Sequence, residues 1–138
     1  LGKIGGLSPR VQLYTVPGQA RYEASRKLVL RGADGVVFVG DSQPERQKDN
    51  LESWMSMAQH LASYGINLKG FPVVVQLNKR DLPGAVRPDL FRRTLSLGGD
   101  IPLFEAVAVD GRGVRETLRA IMEQVVVRLR REISASAA

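Results

Sequence analysis

The stretch Phe71-Pro-Val-Val-Val-Gln-Leu-Asn-Lys-Arg-Asp81 joins an apolar run to a polar turn. The β-branched residues Val73 to Val75 are typical of a buried strand. The polar residues Asn78 to Asp81 follow, and Pro83 and Gly84 then turn the chain. These residue types are common in ordinary strand-to-helix turns, so the pattern alone leaves open both a simple turn and a ligand-binding loop.

Length and composition predict one globular domain. The chain has 138 residues, of which 43% are hydrophobic and 25% charged, and no apolar stretch approaches the length of a membrane span. The absence of cysteine excludes disulfides, thiol catalysis and prenyl or palmitoyl anchors, and it fits a reducing cytoplasm. The net charge of +6 raises nucleic-acid binding as a possibility. Because no aromatic residues interleave with the scattered arginines, a solvated basic face is the better interpretation.

Strand and helix patterns are predicted to alternate along the chain. Strands are expected at residues 11–16, 36–39, 73–78 and 103–108. Helices are expected at residues 21–30, from Pro44 to a stop near Gly65, at 87–97 before Gly98-Gly99, and from Val114 to Ile133. In the first helix Ala24, Leu28 and Tyr22 are expected to face inward. The strand at 36–39 has no polar alternation, which predicts cover on both faces. His60 is expected to be a surface or boundary residue without a catalytic role.

This alternation with short connections indicates an α/β fold with a mainly parallel sheet. In such sheets, ligands bind beyond the carboxyl ends of the strands. Gly18-Gln19 follows the first predicted strand, Asn78 to Asp81 follows the third, and Ala108 to Asp110 follows the fourth. We therefore predict that these three segments share one edge of the sheet and form one site.

Several of these segments carry a family resemblance. Leu13-Tyr-Thr-Val-Pro-Gly-Gln19, Ala24-Ser-Arg-Lys-Leu28, Gly32 to Asp41 and Asn78-Lys-Arg-Asp81 resemble bacterial Ras-like small GTPases of the gliding-motility and cell-polarity (MglA) type. The resemblance covers nearly all of residues 1–133. It implies a P-loop NTPase fold, the three-layer Ras-like G domain, with a partial G domain at residues 1–133 and a disordered tail at 134–138.

The resemblance assigns nucleotide binding to Asn78, Lys79, Asp81 and Ala108. The Asp81 carboxylate would accept two hydrogen bonds from the guanine N1–H and amino groups, a pairing that adenine cannot make. Asn78 would tie neighbouring loops together and reach the base edge, and the Lys79 stem would cover the base face. The Ala108 backbone N–H would bind guanine O6. A plain buried strand end is an equally good interpretation of Ala108, because valines flank it where the family has Ser and Lys.

The resemblance also places switch II at Thr15, Val16, Pro17, Gly18 and Gln19. The Gly18 N–H would sense the γ-phosphate, and Gln19 would be the catalytic residue that orients the attacking water. An exposed helix-start residue is the alternative interpretation of Gln19. Most Ras-like proteins have Asp at the position of Thr15. The exchange removes a negative charge that usually helps to hold the Mg²⁺ water shell.

The chain departs from the family pattern in its phosphate site. It contains no Gly-x-x-x-x-Gly-Lys-Ser/Thr loop, and Gly2-Lys3 has no strand before it. Because the chain begins at Leu1 in mid-pattern, we expect the first strand, the P-loop and switch I, with the phosphate and Mg²⁺ ligands, in a missing N-terminal piece. No metal ligand is therefore expected in this chain. Since the first strand of a Ras-like sheet is central, we expect these residues expressed alone to be molten, aggregated or non-binding.

The function implied by the resemblance is a cytoplasmic molecular switch that binds GTP or GDP with Mg²⁺ and hydrolyses GTP. The implied partners are a roadblock-type GTPase-activating protein and motility or polarity effectors; no nucleic acid and no membrane anchor are expected. The alternative is a P-loop-less pseudo-GTPase that serves as a protein-interaction scaffold. An in-frame P-loop encoded upstream of Leu1 would favour the enzyme, and a stop codon there would favour the scaffold.

Overall fold

The computed structural model describes residues 2–16 and 20–137 of the chain. Three strands and four helices alternate along this part of the sequence: α1 (Glu23–Leu30), β1 (Val36–Asp41), α2 (Gln47–Ser63), β2 (Val73–Asn78), α3 (Pro88–Leu95), β3 (Leu103–Glu105) and α4 (Val114–Ser136). Short 3₁₀ turns precede α1 and α2 and follow β3. None of the helices in this part of the chain is long and apolar enough to cross a membrane.

The sheet is parallel and has the order β1-β2-β3. In the β1–β2 register, Val36 pairs with Val73 and Asp41 pairs with Asn78, so these two strands end side by side. Beyond the last pair, the Ser42 N–H donates to the Asn78 carbonyl at 3.1 Å. The predicted α/β class and parallel sheet are confirmed, and the register brings the strand exits to one edge.

Helices α2 and α3 cover one face of the sheet. Phe38 meets Trp54 edge-on, with 5.2 Å between the ring centroids, and Leu61 is fully buried. Phe91 of α3 packs so closely over β1 that a Cβ at Gly40 would overlap its ring. Because interiors are close-packed, this glycine is the position that allows α3 to approach the strand.

Helix α4 covers the opposite face, mainly over β2. The buried Gln76 side chain donates to the Thr117 hydroxyl at 2.8 Å. Gln124 accepts a hydrogen bond from the Val73 N–H at 3.1 Å and donates to the Val73 carbonyl. Helix, sheet and helix thus form the three layers that the sequence predicts.

The prediction of a strand at residues 11–16 is wrong. This segment forms no ladder with the rest of the described residues, and the hydrogen bond from the Tyr14 hydroxyl to Gln12 at 3.2 Å is local. Leu13 is 75% exposed. A strand requires a hydrogen-bonded neighbour, and within the described residues the free edge of β1 has none beside it.

Two burial predictions are also wrong. In β1, Val37 and Val39 are exposed because α4 packs over β2 and reaches only the start of β1, at Gly35. In the first helix Ala24, Leu28 and Tyr22 are exposed, and Leu30 is the buried residue. Helix α1 makes polar contacts with α2 through Glu23 and the Lys27 carbonyl and joins the hydrophobic core through Leu30, so the predicted inward face stays uncovered.

His60 is buried rather than at the surface. Its Nε2 lies 3.4 Å from a carboxylate oxygen of Glu23, the first residue of α1. One turn further, the Tyr64 hydroxyl donates to the Lys27 carbonyl at 2.6 Å. These two contacts place α1 over His60, which a periodicity argument confined to α2 cannot detect.

Several element ends differ from the prediction. Helix α3 ends at Leu95, before Gly98-Gly99, because Ser96 takes a left-handed conformation with φ of 51°. Strand β3 ends at Glu105, and the chain then forms a 3₁₀ turn at Ala108–Asp110. Residues 134–136, predicted to belong to a disordered tail, continue α4. The Ser136 hydroxyl donates to the Glu132 carbonyl at 3.0 Å in that last turn.

Candidate functional site

The exits of the three strands converge at the carboxyl edge of the sheet. They consist of residues 41–43 after β1, residues 78–84 after β2 and residues 106–112 after β3. The Arg80 N–H donates to the Ala106 carbonyl at 3.1 Å, and the Ala106 N–H donates to the Leu77 carbonyl at 2.8 Å. Two of the three segments predicted to share this edge, those at 78–81 and 108–110, are therefore adjacent.

Asn78 connects the β2 exit to both of its neighbours. Its side-chain Oδ1 accepts a hydrogen bond from the Ala108 N–H at 2.9 Å. Its backbone carbonyl accepts hydrogen bonds from the Ser42 N–H and hydroxyl. Asn78 thus connects the β2 exit to the exits of β1 and β3. The same contact engages the Ala108 N–H, the donor predicted to read guanine O6.

Lys79 is held by Asp41 across the β1–β2 exits. Its ammonium lies 2.8 Å from Asp41 Oδ2, and its backbone is left-handed with φ of 63°. Partial burial acts to raise the pKa of Asp41, but hydrogen bonds from Lys79 and Gln43 and the Lys79 charge outweigh burial and lower that pKa. Asp41 is therefore a carboxylate at neutral pH.

Arg80 points into the protein, although it occupies the variable position of the motif. Its Nε donates to Glu105 Oε1 at 2.9 Å, and Nη1 donates to the Ser42 hydroxyl at 3.3 Å and to the Val86 carbonyl. Its side chain is only 19% exposed. The roles of Arg80 and Asp41 could not be predicted, because neither their residue type nor their local spacing indicates which distant partner they meet.

Asp81 faces outward from the turn that ends the motif. Lys79 accepts a backbone hydrogen bond from Leu82 at 3.2 Å, and Gly84 completes the turn with φ of 75°. The Asp81 side chain is exposed and makes no hydrogen bond or ion pair with residues 2–16 or 20–137. Its carboxylate is thus free to accept hydrogen bonds from a ligand.

The β3 exit adds a small ion pair and an apolar side chain. The Arg112 N–H and Nε donate to the Asp110 carboxylate at 3.0 and 2.9 Å, and these bonds, the backbone one first, lower the pKa of Asp110. Val109, beside Ala108, is 93% exposed. An exposed valine at this rim is suited to apolar contact with a ligand rather than to hydrogen bonding.

Comparison with known proteins identifies the family that carries this architecture. A family model described as the Ras family matches residues 3–127. The chain belongs to the Ras family. It is 49% identical over 131 residues to the mutual gliding-motility protein MglA of Myxococcus xanthus (strain DK1622), an alignment that covers 95% of this chain and 67% of that protein. The predicted resemblance to MglA-type, Ras-like small GTPases is thereby confirmed.

Other relatives match a smaller share of their own length. A GTPase Obg of Desulfitobacterium hafniense (strain DSM 10664 / DCB-2) is 33% identical over 85 residues, which cover 62% of this chain and 20% of that protein. The Ras-related protein Rab7 of Pisum sativum is 30% identical over 120 residues, which cover 84% of this chain and 58% of that protein. The chain therefore spans about two thirds of MglA and less than two thirds of these other relatives.

The segment predicted to be switch II is described only at its start. Thr15 and Val16 belong to no helix or strand and are exposed. Pro17, Gly18 and Gln19 lie outside the described residues, so their assigned roles stay predictions. Across residues 2–16 and 20–137, no group of three or more histidine or carboxylate side chains could hold a metal ion.

Proposed function

We propose that this chain forms the base-binding and switch II part of a GTP-binding molecular switch. The observation that carries the proposal is the exposed Asp81 carboxylate, which has no protein partner in the described part of the chain and lies three residues after Asn78, whose side chain contacts Ala108. That contact holds two loops together at the edge where ligands of parallel α/β sheets bind. Membership of the Ras family makes guanine the base to test first.

In this proposal each motif residue has a separate task. Asp81 accepts hydrogen bonds from guanine N1–H and the 2-amino group, and charge-assisted bonds of this kind contribute roughly 1.5–3 kcal/mol each. Asn78 keeps the β2 and β3 exits together. The Lys79 stem covers one face of the base. The Ala108 N–H reaches guanine O6 only if it is shared with, or released by, Asn78 Oδ1.

Hydrolysis is proposed to depend on Gly18 and Gln19. Gly18 would bind the γ-phosphate through its backbone N–H, and Gln19 would orient the attacking water, a positioning task of the kind on which phosphoryl transfer depends. The described residues do not provide a fitting Mg²⁺ site, and we assign no step to the metal here. We expect Gln19→Leu to leave nucleotide affinity nearly unchanged and to slow GTP turnover, as measured by phosphate release.

The biological role is proposed from the relative that resembles the chain over most of its length. Because that relative is named a mutual gliding-motility protein, we propose that the switch directs gliding motility or cell polarity in the cytoplasm. A roadblock-type GTPase-activating protein and motility effectors are the proposed protein partners. Wild-type polarity and motility in cells that lack the gene would contradict this role without affecting the nucleotide assignment.

The base assignment is tested by exchanging Asp81 in the full-length gene product. Wild-type protein should bind GDP and GTP and should not bind ADP. Asp81→Asn should weaken GDP binding at least about tenfold and should favour xanthosine diphosphate, because the new amide donates to the xanthine 2-oxo group. Asp89→Asn, which alters an exposed carboxylate on α3, is the control. Unchanged base preference in Asp81→Asn would refute the assignment, and no guanine binding by the wild type would favour an interaction scaffold.

A further inference from the structure

Asp41 ends one of the segments that carry the family resemblance, but the sequence assigns it no role; in the structure it contacts Lys79 of the candidate site. It is the last residue of β1 and pairs in register with Asn78. Its Oδ2 lies 2.8 Å from the Lys79 ammonium, and the two side chains are 20% and 46% exposed. An ion pair that is partly withdrawn from water is screened less by salt than a surface pair.

The Asp41 carboxylate is fixed before it meets the lysine. The Gln43 N–H donates to Oδ1 at 2.9 Å, and Gln43 Nε2 lies 3.1 Å from both carboxylate oxygens. Buried Asn50 holds the Asp41 backbone from α2: its Oδ1 accepts from the Asp41 N–H at 3.1 Å, and its Nδ2 donates to the Asp41 carbonyl at 2.9 Å. The strand end and its side chain are thus clamped by the segment that begins α2.

The Lys79 side chain, in contrast, is ordered mainly by its ion pair with Asp41. A lysine side chain loses up to about 2 kcal/mol of rotamer entropy when it is fixed, and a left-handed non-glycine backbone costs of order 1–3 kcal/mol more. Within the described residues, Asp41 is the partner of its ammonium. A fixed carboxylate at one end of a long, flexible side chain determines where the aliphatic stem lies.

We propose that Asp41 is a positioning residue for guanine nucleotide binding, which anchors the Lys79 ammonium and so pre-orders the stem that covers the base. The inference rests on the proposed function, in which Lys79 contacts the base. It adds a residue on β1 to a site otherwise built from the β2 and β3 exits. Because the entropy cost of ordering the Lys79 stem is met before the nucleotide binds, binding is tighter, and tighter binding appears chiefly as slower dissociation of the nucleotide.

A double-mutant cycle in the full-length gene product tests this inference. Dissociation of a fluorescent GDP analogue is measured for the wild type, Asp41→Asn, Lys79→Met and the double variant. Coupled neighbours in one network give about two- to hundredfold interaction effects, and we expect Asp41→Asn to accelerate dissociation about five- to tenfold. In the Lys79→Met background the same change should alter the rate by less than about twofold. Asp49→Asn, which removes an exposed carboxylate paired with Arg46 at 2.9 Å, is the matched control.

The outcomes separate this inference from the proposed function and from a merely structural role. If the effects of the two single changes multiply in the double variant, or if Asp41→Asn slows dissociation, the inference is wrong although nucleotide binding stands. A wild type that binds no guanine nucleotide overturns both. If Asp41→Asn fails to fold, Gln43→Met removes the Nε2 bonds to Asp41 and keeps the ion pair. It should accelerate dissociation by a smaller factor, and an equal effect in the Lys79→Met background would overturn the inference.

Discussion

The strand exits and the N-terminal region of this chain are held in different ways. At the exits, side chains of Asn78, Arg80 and Asp41 each join segments that are distant in sequence. In residues 2–16, the paired backbone hydrogen bonds between Ile4 and Leu7, at 2.8 and 2.9 Å, are local, and the contact with distant sequence is apolar: Ile4 is buried and Gly5 lies next to Ile133 of α4. The carboxyl edge of the sheet is therefore organised by long-range polar contacts that this chain supplies itself.

The difference between these two regions also has a physical cause in the sheet. Residues 78–84 leave β2, which has a strand on both sides and a helix layer on both faces. Residues 11–16 have no neighbour of this kind among the described residues, although their pattern is that of a strand. Pattern decides which face a strand would bury, whereas pairing decides whether the strand forms.

We expect the largest loss of stability from a change at Arg80, whose side chain contacts three other segments of the chain. Arg80→Met keeps the volume of the side chain but removes its hydrogen bonds to Glu105, the Ser42 hydroxyl and the Val86 carbonyl. We expect a loss of about 2 kcal/mol in the free energy of unfolding, because the part-buried Val86 carbonyl and Ser42 hydroxyl lose a charged donor. Urea unfolding of the full-length gene product measures the change.

Arg87→Met provides the control for that experiment. Arg87 pairs with Asp89 at 3.2 Å, but its side chain is 84% exposed, so its removal should cost less than about 1 kcal/mol. Equal effects of the two changes would show that Arg80 contributes no more than a surface arginine. The strand exits would then not be organised by polar contacts.

A smaller and more local effect is expected at the junction of α1 and α2. Tyr64→Phe removes the 2.6 Å hydrogen bond to the Lys27 carbonyl, a net contribution of about 1 kcal/mol. Backbone amides of α1 should exchange with deuterium faster, while amides of β2 should keep their wild-type rates. Tyr22→Phe serves as the control. Faster exchange in β2 as well would show that α1 and the strand exits form one cooperative unit.

Local sequence was sufficient for some parts of this molecule and insufficient for others. The apolar run of β2 and the polar turn after it predict the strand, its end at Asn78 and the edge that carries the candidate site. The exposure of Val37 and Val39 could not be predicted, because it depends on how far α4 extends across the sheet. Apolar composition indicates that a face can be covered, and only the tertiary arrangement shows whether it is.

The residues of the candidate site also fall into those that local sequence predicts and those that it does not. Asn78, Lys79 and Asp81 follow one another in a recognisable motif, so their residue types indicate a ligand site. Asp41 and Arg80 become visible only through the β1–β2 register and through Glu105 on the next strand. A charged residue in a loop is solvent-facing in most proteins, and nothing within a few residues of Arg80 distinguishes it from that majority.

The smallest expected effect is on the pH dependence of stability. It tests the contacts of the Asp41 carboxylate separately from the other contacts at this edge of the sheet. The pKa of Asp41 is lower in the folded chain than in the unfolded one, where it is about 4, so the carboxylate stabilises the fold above that value. This contribution is lost as the pH falls through the lower, folded-state pKa. Unfolding free energies measured between about pH 5 and pH 2 should therefore fall less steeply for Asp41→Asn than for the wild type. Asp49→Asn is again the control, because its partner Arg46 lies on an exposed surface. If both variants show the same pH dependence of the free energy of unfolding as the wild type, the Lys79 ammonium and the Gln43 amides do not stabilise the Asp41 carboxylate. The Asp41–Lys79 ion pair would then not be one of the long-range contacts that distinguish the strand exits from the N-terminal region.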